Sequence, residues 1–348
     1  MNYKDHTQLK KDIAAGKLEN AYLLYGSEEY LVRGYAGLIA DKAIPGEKDA
    51  FRYSRLSGEK LDVDLLYDTV EALPLMGGSK LVWVDGLEAD KLSPEQFALL
   101  EQILSDVPPS CVLLITAAAS AFGAKKSARE KKILAHMEKA GATAEMGKQT
   151  PGDLAKFLVK QAKQYGCTIS TALCRELINL CGGDMLVLQG EIAKVCAYAG
   201  GGEVLPEHLS AVAVPKMEAR VFDLTKEILA ENYKGAMEIL ANLFYLRESP
   251  VAILAVMAMT YADLYRAKIA GQSGLPAVQM IGDFGYKGRE FRVNNALRLS
   301  QKLSVEYLRH SVQTLLALDL RLKSAGADGR ALLEEAVTTL FVLRKKYW

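Results

Sequence analysis

The residues best placed to do chemistry follow the first apolar run of the chain, AYLLY at 21–25. Gly26 comes directly after this run, where a nucleotide-binding α/β domain places its phosphate loop. A working loop of the pattern GxxxxGK[ST] needs a second glycine, a lysine and a hydroxyl group at fixed spacing from the first glycine. Counting from Gly26 puts Leu31, Val32 and Arg33 at those three positions. The sequence therefore argues against ATP binding at this loop.

Acidic residues in this loop and the ending of a later strand also argue against ATP binding. Glu28 and Glu29 lie in the loop itself, where their charge would repel phosphates. The run VWVDG resembles a hydrolytic strand end, in which one acid holds magnesium and the next orients water. Here Asp85 is present, but Gly86 replaces the second acid. Without a phosphate loop, Asp85 is expected to cap a turn.

Other residue types that often form catalytic or metal sites do not form a recognisable motif. The four histidines are far apart in the sequence, and patterns such as G-x-S-x-G and H-E-x-x-H do not occur. Three of the five cysteines recur every seven residues, whereas zinc sites use tighter pairs and four ligands. These cysteines are Cys167, Cys174 and Cys181. We expect the thiols to be free and packed in the core, and we predict no catalytic residue, metal site or cofactor.

The overall composition is that of a globular protein with more than one domain. The chain has 348 residues, of which 24% are charged, with 43 Lys and Arg against 42 Asp and Glu. Contact with nucleic acid would therefore have to come from a local patch. The longest apolar run, 249–262, is shorter than the roughly 20 residues of a membrane span, and the first residues lack the apolar core of a secretion signal. We expect a cytoplasmic protein without membrane contact.

The first part of the chain alternates short apolar runs with amphipathic windows, which is typical of a parallel sheet covered by helices. The runs mostly lack strict alternation, as expected of strands buried on both faces. The predicted strands are 21–25, 50–56, 80–85, 110–116 and 143–146, and the predicted helices between them are 28–43, 61–73, 93–105 and 125–140. We therefore predict an α/β domain over residues 1–148.

The pattern changes at KQTP, residues 148–151. Thr150 fits a helix N-cap, Pro151 fits the first helical position, and Asp153 can close a capping box. From here on the periodicity predicts helices only. The predicted helices are 151–165, 171–181, 185–198, 206–212, 219–231, 233–246, 249–270, 289–299, 303–323 and 329–345.

Breaks in this helical part predict two further domains. Residues 149–214 would form a small helical domain, and residues 215–348 would form a helical bundle. The glycine-rich stretch 271–290 inside the bundle is predicted to be a long connection with one short helix. The predicted fold class is thus α/β followed by all-α.

Two segments could contact nucleic acid. The run KKSAREKK at 125–132 could place Lys125, Lys126, Arg129, Lys131 and Lys132 near a helix N-terminus, which suits phosphate contact. A solvated helix face explains the same run. The segment 284–292 interleaves aromatic and cationic residues, as a base-stacking surface does. Aromatic side chains that anchor a loop onto the bundle explain that segment better.

The stretch EALPLMGGSKLVWVD contains an apolar pair between a helix end and a strand. Leu66, Val70 and Leu73 are spaced so that they form one stripe facing the core. Proline then disfavours further helix, and two glycines permit a tight turn. Leu75 and Met76 lie at the tip of this loop. They either form an exposed anchor for a partner or fold back over the sheet edge.

Several segments resemble the delta subunits of bacterial DNA polymerase III, and they are spread over nearly the whole chain. They are YLLYGSEEYLV, ALPLMGGSKLVWV, VFDLTKEILAENYKGAMEIL, SPVAILAVMAMTYADLYRAK and DLRLKSAGADGRALLEEAVTTL. The resemblance implies a degenerate AAA+-like domain, a helical lid domain and a C-terminal collar domain that mediates oligomerisation. It also implies a subunit that binds no ATP, which agrees with the degenerate phosphate loop.

The function implied by this resemblance is that of an adaptor in a pentameric clamp loader. Such a subunit would bind the sliding clamp, called beta, and open one interface of the ring. Sister subunits, called gamma or tau and delta-prime, would use ATP to load the ring on primed DNA. The chain would then be a non-catalytic subunit of a nucleotidyltransferase complex. An ATPase with an atypical nucleotide site and a stand-alone DNA-binding protein remain as alternatives.

The resemblance also gives a role to the apolar pair. In this family, a Leu-Phe pair just before the third strand inserts into a pocket of the clamp. The matching positions are Leu75 and Met76, so methionine replaces phenylalanine. Methionine keeps the apolar character and adds flexibility. The resemblance therefore favours the exposed anchor.

Overall fold

The computed structural model describes residues 2–3, 6–46, 48–74, 78–117, 120–123, 126–286, 290–324, 326 and 328–347. Contacts divide the chain into two compact units. The first unit consists of Met1–Phe157 and Gly183–Gly190, and the second of Leu158–Gly182 and Glu191–Trp348. The predicted boundaries at 148/149 and 214/215 stay a prediction.

The first unit is built on a six-stranded sheet in which every pair of neighbouring strands is parallel. Its strands are β1 Asn2–Tyr3, β2 Ala21–Tyr25, β3 Tyr53–Ser57, β4 Lys80–Leu87, β5 Cys111–Ala117 and β6 Ala142–Glu145. Their order across the sheet is β1-β6-β2-β5-β4-β3, so β3 lies at one edge. Every residue of β2 and β5 is buried, as expected of central strands covered on both faces.

Helices connect these strands, and several begin at well-formed caps. The helices of this part are α1 His6–Ala14, α2 Glu29–Ala43, α3 Val63–Glu71, α4 Pro94–Ser105 and α5 Ala128–Ala140, with a 3₁₀ turn at Ala89–Lys91. Ser93 and Ser127 each accept a hydrogen bond from the third residue of the helix and complete a capping box. Apolar residues of α3, α4 and α5 share one core with the sheet.

The predicted strands are all present, with two differences. A further strand, β1, pairs with β6 at the edge of the sheet. It is only two residues long, so no periodicity reveals it. The predicted strand 50–56 starts three residues late, because Asp49 accepts hydrogen bonds from the backbone N–H groups of Phe51 and Arg52 and forms a turn.

The later part of the chain is almost entirely helical. Its helices are α6 Pro151–Gln164, α7 Thr171–Cys181, α8 Met185–Ala199, α9 Pro206–Val212, α10 Met217–Leu229, α11 Tyr233–Tyr245, α12 Pro250–Gln272, α13 Ala277–Asp283, α14 Glu290–Ser300, α15 Val305–Leu322 and α16 Gly329–Lys346. The short helix expected within 271–290 is confirmed as α13. Helices α10 to α16 contribute to one core, in which the hydroxyl groups of Tyr261 and Tyr307 lie 3.0 Å apart and share a hydrogen bond.

The prediction of helices only after residue 148 is wrong at one place. Two short strands, β7 Cys167–Thr168 and β8 Gly202–Glu203, pair in parallel. The glycines at 200–202 all have positive φ, which lets the chain turn before β8. The predicted fold class, a parallel α/β domain followed by helices, is nevertheless confirmed. Within the described residues, no helix combines the length and apolar character that a membrane span needs.

Candidate functional site

The loop after β2 is shaped by close backbone packing. Gly26 has φ of +132°, and a Cβ added there would lie 2.3 Å from the carbonyl oxygen of Met146. The N–H of Met146 donates to the Tyr25 carbonyl at 2.7 Å, and the N–H of Glu28 donates to the Met146 carbonyl at 2.9 Å. Position 26 therefore requires glycine, because a side chain there would collide with the backbone that follows β6. This requirement is independent of any phosphate.

The Glu28 side chain lies at the start of α2, the end of the helix that phosphate-binding folds leave open for the anion. Only 4% of the residue is exposed. Burial raises the pKa of the Glu28 carboxyl, and the nearby Asp184 carboxylate raises this pKa further, whereas the backbone N–H groups of Met185 and Tyr30 lower it. The protein's own carboxyl group thus occupies the region where a nucleotide phosphate would bind.

The raised pKa of Glu28 predicts a pH dependence of stability. Since the folded state holds the Glu28 proton more tightly than the unfolded state, this proton stabilises the fold at low pH and the effect is lost as pH rises. We expect the free energy of unfolding of the wild type, minus that of Glu28→Gln, to decrease as pH rises from about 4 towards neutral. Urea denaturation of both proteins across this range measures the difference. If this difference in the free energy of unfolding stays constant or increases with pH, the raised pKa of Glu28 is contradicted.

The Asp85 carboxylate at the end of β4 is held by protein groups. Arg55 on the neighbouring strand β3 donates from Nη2 to Oδ2 at 2.5 Å, and Thr116 donates from Oγ1 to Oδ1 at 2.8 Å. The Arg55 guanidinium also lies 4.4 Å from the ring centroid of Trp83. Although burial raises the pKa of Asp85, the hydrogen bonds from Arg55 and Thr116 outweigh it and keep this pKa below its ordinary value.

The expectation that Asp85 caps a turn is therefore wrong. Its carboxylate instead forms an ion pair with Arg55 on the adjacent strand. Parallel pairing of β3 with β4 brings residues 55 and 85 to the same end of the sheet. A guanidinium stands beside the acid where a hydrolytic site would have a metal ion. Across the residues that the structure describes, no group of three histidine, cysteine, aspartate or glutamate side chains could hold a metal.

The loop between α3 and β4 contains the predicted anchor. Leu75 and Met76 lie outside the described residues. Leu66 is buried, as the predicted core stripe requires, but Leu73 is 80% exposed and does not belong to that stripe. The reason is that α3 ends at Glu71, two residues earlier than predicted, so Leu73 does not continue the helical spacing. The chain therefore presents an apolar side chain, that of Leu73, to solvent two residues before the predicted anchor.

A buried lysine that the sequence did not single out lies at the end of α3. Lys80, the first residue of β4, is only 4% exposed. Its ammonium donates to the backbone carbonyls of Thr69, at 2.7 Å, and Ala72, both at the end of α3. The sequence signal that could have revealed Lys80 is a charged residue directly before the apolar run of a strand.

The predicted phosphate-contact residue Arg129 is engaged inside the protein. Its Nη1 donates to the backbone carbonyls of Ala89, Asp90 and Leu92 at 3.2, 3.2 and 2.7 Å. The guanidinium also lies 5.2 Å from the ring centroid of Phe97. In this structure, Arg129 anchors the turn after β4 onto α5.

This arrangement predicts a stability effect. Arg129→Met should lower the free energy of unfolding by about 2 kcal/mol, because three carbonyls lose a charged donor. Lys131→Met, on the exposed side of the same helix, should change it by less than about 0.5 kcal/mol. Urea denaturation monitored by circular dichroism makes the comparison. Equal effects of the two substitutions would contradict this role of Arg129.

The other cations of the basic run are placed differently. Lys125 lies outside the described residues. Lys126 is half-buried, with its ammonium 5.9 Å from a tyrosine ring centroid. Lys132 forms an ion pair of 3.3 Å with Glu101. Lys131 is exposed. A phosphate role for these residues stays a prediction.

The aromatic and cationic residues near 284–292 surround a buried acid of the second unit. Tyr286 is buried and donates its hydroxyl proton to Asp263, to which Arg292 also donates from Nε at 2.9 Å. Arg266 donates to the Tyr286 hydroxyl at 3.0 Å and lies 4.8 Å from the ring centroid of Phe284. Tyr286 therefore anchors this segment onto α12, as the preferred interpretation expected.

The five cysteines are free and buried. Burial raises the pKa of the thiols of Cys111, Cys174 and Cys181 to about 11. A raised thiol pKa leaves little reactive thiolate at neutral pH. These residues act as part of the core, as the sequence predicted.

Comparison with known proteins gives concordant matches. A family model described as the delta subunit of DNA polymerase III matches residues 22–141, and one described as the C-terminal domain of that subunit matches residues 218–340. DNA polymerase III subunit delta of Bacillus subtilis is 23% identical over 331 residues, covering 93% of each chain. A probable subunit delta of Aquifex aeolicus is 22% identical over 333 residues, covering 92% of this chain and 89% of the relative.

A solved structure shares the fold over nearly the whole chain. The DNA clamp loader delta protein of Bacillus subtilis superposes with a TM-score of 0.57 at 23% identity. The match covers 97% of this chain and 99% of that chain.

Proposed function

We infer the function from the chain's family: it belongs to the DNA polymerase III delta subunits, and we propose that it is the adaptor that attaches a clamp loader to the sliding clamp. In this role the chain binds the beta ring and weakens one of its interfaces. Gamma or tau and delta-prime subunits bind ATP and assemble with the chain. The complex then places the opened ring on primed DNA in the cytoplasm.

The structural observation that supports clamp contact is the exposure of Leu73 at the end of α3. Leu73 lies in the loop just after α3 and is 80% exposed, whereas Leu66 and Val70 on α3 are buried. Exposed apolar side chains at a loop tip are suited to filling a pocket of a partner. We propose that Leu75 and Met76, the next apolar residues of this loop, form the anchor.

The surface of the C-terminal helices supports a role in assembly. Leu316 and Leu320 lie one turn apart on α15, and 60% and 66% of their surface is exposed. An exposed apolar pair on one helix face is suited to packing against another helix. We propose that this collar packs against the collars of sister subunits.

The proposal of a non-catalytic subunit is supported by the groups around the nucleotide position. Gly26 is packed against Met146, the Glu28 carboxyl lies at the start of α2, and Asp85 is paired with Arg55. The energy for loading therefore comes from ATP bound by sister subunits, which would expose or hide the clamp-binding surface by shifting a conformational equilibrium.

Equilibrium binding of labelled ATP separates this adaptor from an ATPase with an atypical site. We expect no saturable binding at a few hundred micromolar ATP with magnesium. Saturable binding that unlabelled ATP displaces would contradict the adaptor proposal. Competition is the appropriate control, because a substitution of Gly26 would disturb the fold and not only the loop.

The alternative of a stand-alone DNA-binding protein is less well supported. Arg129 donates to three backbone carbonyls and Lys132 pairs with Glu101, so both charges are already engaged. We propose that contact with primed DNA arises within the assembled loader. Tight, salt-sensitive duplex binding by the purified chain would favour the alternative.

A further inference from the structure

The short segment between helices α9 and α10, residues 214–216, lies where the sequence predicts a boundary between two helical domains. We call it the connecting segment. The second compact unit contains the chain on both sides of it, since this unit consists of Leu158–Gly182 and Glu191–Trp348. The contacts of the connecting segment within this unit show how it is held.

Lys216 bonds to two helices at once through its backbone. Its N–H donates at 2.9 Å to the Leu180 carbonyl, one of the last carbonyls of α7, which have no partner within that helix. Its own carbonyl accepts from the N–H groups of Ala219 and Arg220 in the first turn of α10, both at 3.1 Å. A single residue thus joins the end of α7 to the start of α10.

The other two residues of the connecting segment are held within the same unit. The N–H of Val214 donates to Oε2 of Glu191 at 3.1 Å, and the Cys181 thiol donates to the Val214 carbonyl at 3.5 Å. Pro215 has no N–H, its ring restricts φ, and its carbonyl accepts from Nε of Arg220 at 3.3 Å. Every backbone donor and acceptor of the connecting segment therefore has a partner in the second unit.

Polar contacts, and not apolar burial, hold the connecting segment. The Val214 side chain is exposed, so its burial contributes little. Glu191 is buried, and its Oε1 accepts from Nζ of Lys194 at 2.8 Å while Oε2 accepts from Val214. A buried carboxylate is tolerated where it is paired and hydrogen-bonded in this way. A linker between domains that move independently is expected to have few such contacts and a solvated backbone.

We propose that the connecting segment is a rigid joint, in which the Glu191 carboxylate holds the backbone between α9 and α10, so that α7 and the bundle α10–α16 move as one body. The bond from Val214 to Glu191 has a charged acceptor, and such bonds are stronger than those between neutral groups. In the proposed clamp loader, a movement of the bundle would therefore carry α7 with it.

Spin labels on α7 and α16 of the full chain test whether the two helices move together. Arg175→Cys and Val342→Cys place the labels at exposed helix positions, whereas the five native thiols are buried and do not compete for the label. Double electron–electron resonance should give one narrow distance distribution. A broad or two-peaked distribution would overturn the rigid joint.

Substitutions of Glu191 test its part in the joint. Glu191→Leu removes the acceptor and should broaden the distance distribution and speed hydrogen exchange of the Val214 and Lys216 amides at least about tenfold. Glu191→Gln keeps a side-chain oxygen that accepts from Val214 and should change these exchange rates by less than about threefold. Glu176→Leu, at an exposed position of α7, is the matched control and should leave both measurements unchanged.

The outcomes distinguish the joint from the role of Glu191. If Glu191→Leu leaves the distances and exchange rates as in the wild type, or if Glu191→Gln acts as strongly as Glu191→Leu, the role of Glu191 is overturned. If circular dichroism shows that Glu191→Leu does not fold, the wild type decides, since Val214 and Lys216 amides that exchange as fast as in an unfolded chain would overturn the joint. Neither experiment involves the clamp, so the result is independent of the proposed function.

Discussion

Gly26→Ala should lower the free energy of unfolding by about 3 kcal/mol or more. The added Cβ would lie 2.3 Å from the carbonyl oxygen of Met146 and within 3 Å of two further backbone atoms of that residue. Backbone atoms cannot move aside as the end of a flexible side chain can. The φ of +132° adds strain, because residues with a Cβ rarely adopt it.

Gly37→Ala on helix α2 is the matched control for this prediction. No atom lies within 4 Å of a Cβ added at Gly37, and alanine favours a helix interior over glycine by about 1 kcal/mol. Urea denaturation should therefore show the two glycine-to-alanine changes acting in opposite directions. If Gly26→Ala is as stable as the wild type, the account of the loop as a packing feature is wrong.

Leu75→Ser/Met76→Ser should weaken binding to the sliding clamp roughly a hundredfold or more. Full burial of a leucine or methionine side chain contributes about 1.5–3 kcal/mol, and each 1.4 kcal/mol corresponds to a tenfold change in affinity. Two anchors in one pocket therefore account for at least two orders of magnitude. Isothermal titration calorimetry or surface plasmon resonance with the purified clamp measures the change.

Tyr245→Ser is the control for a general loss of exposed apolar surface, since Tyr245 is highly exposed but lies on α11 in the second unit. We expect it to bind the clamp like the wild type. Met76→Phe, which introduces the residue that the family prefers, should bind the clamp at least as tightly as the wild type. Its ring adds contact area and loses fewer side-chain rotamers on binding. Wild-type affinity in the double-serine variant would reject the anchor.

The sequence was sufficient to predict most of the α/β fold. Apolar runs identified β2, β4 and β5, because central parallel strands are buried on both faces and need no alternation. The helices predicted at 93–105 and 125–140 correspond to α4 and α5, although α5 begins only at Ala128, after the Ser127 cap. These signals are local and can be read from one stretch of chain.

Interactions between distant segments were not predictable in this way. Arg55 and Asp85 form an ion pair although 30 residues separate them, because parallel pairing of β3 and β4 brings them to the same end of the sheet. The partners of Lys80 are backbone carbonyls, which carry no sequence signature. Arg129, which the sequence suggested as a phosphate contact, also donates to a backbone carbonyl, that of Leu92. Such a partner cannot be read from the sequence.

The candidate site was predictable only in part. The helix, proline and glycines around the loop follow from local rules, but the exposure of Leu73 depended on α3 ending at Glu71. Local propensity places such an end only to within a few residues. The assignment of Leu75 and Met76 to a partner came from the resemblance to a family, because exposed and folded-back apolar pairs look alike in a sequence.

The most direct test of the central claim is the affinity of the purified chain for the sliding clamp, measured with and without ATP and magnesium. The account predicts saturable binding by the chain alone, with a dissociation constant that ATP does not change, since the chain supplies the contact and its sister subunits bind the nucleotide. Absence of saturable binding, or binding that requires ATP in the absence of those subunits, would contradict it.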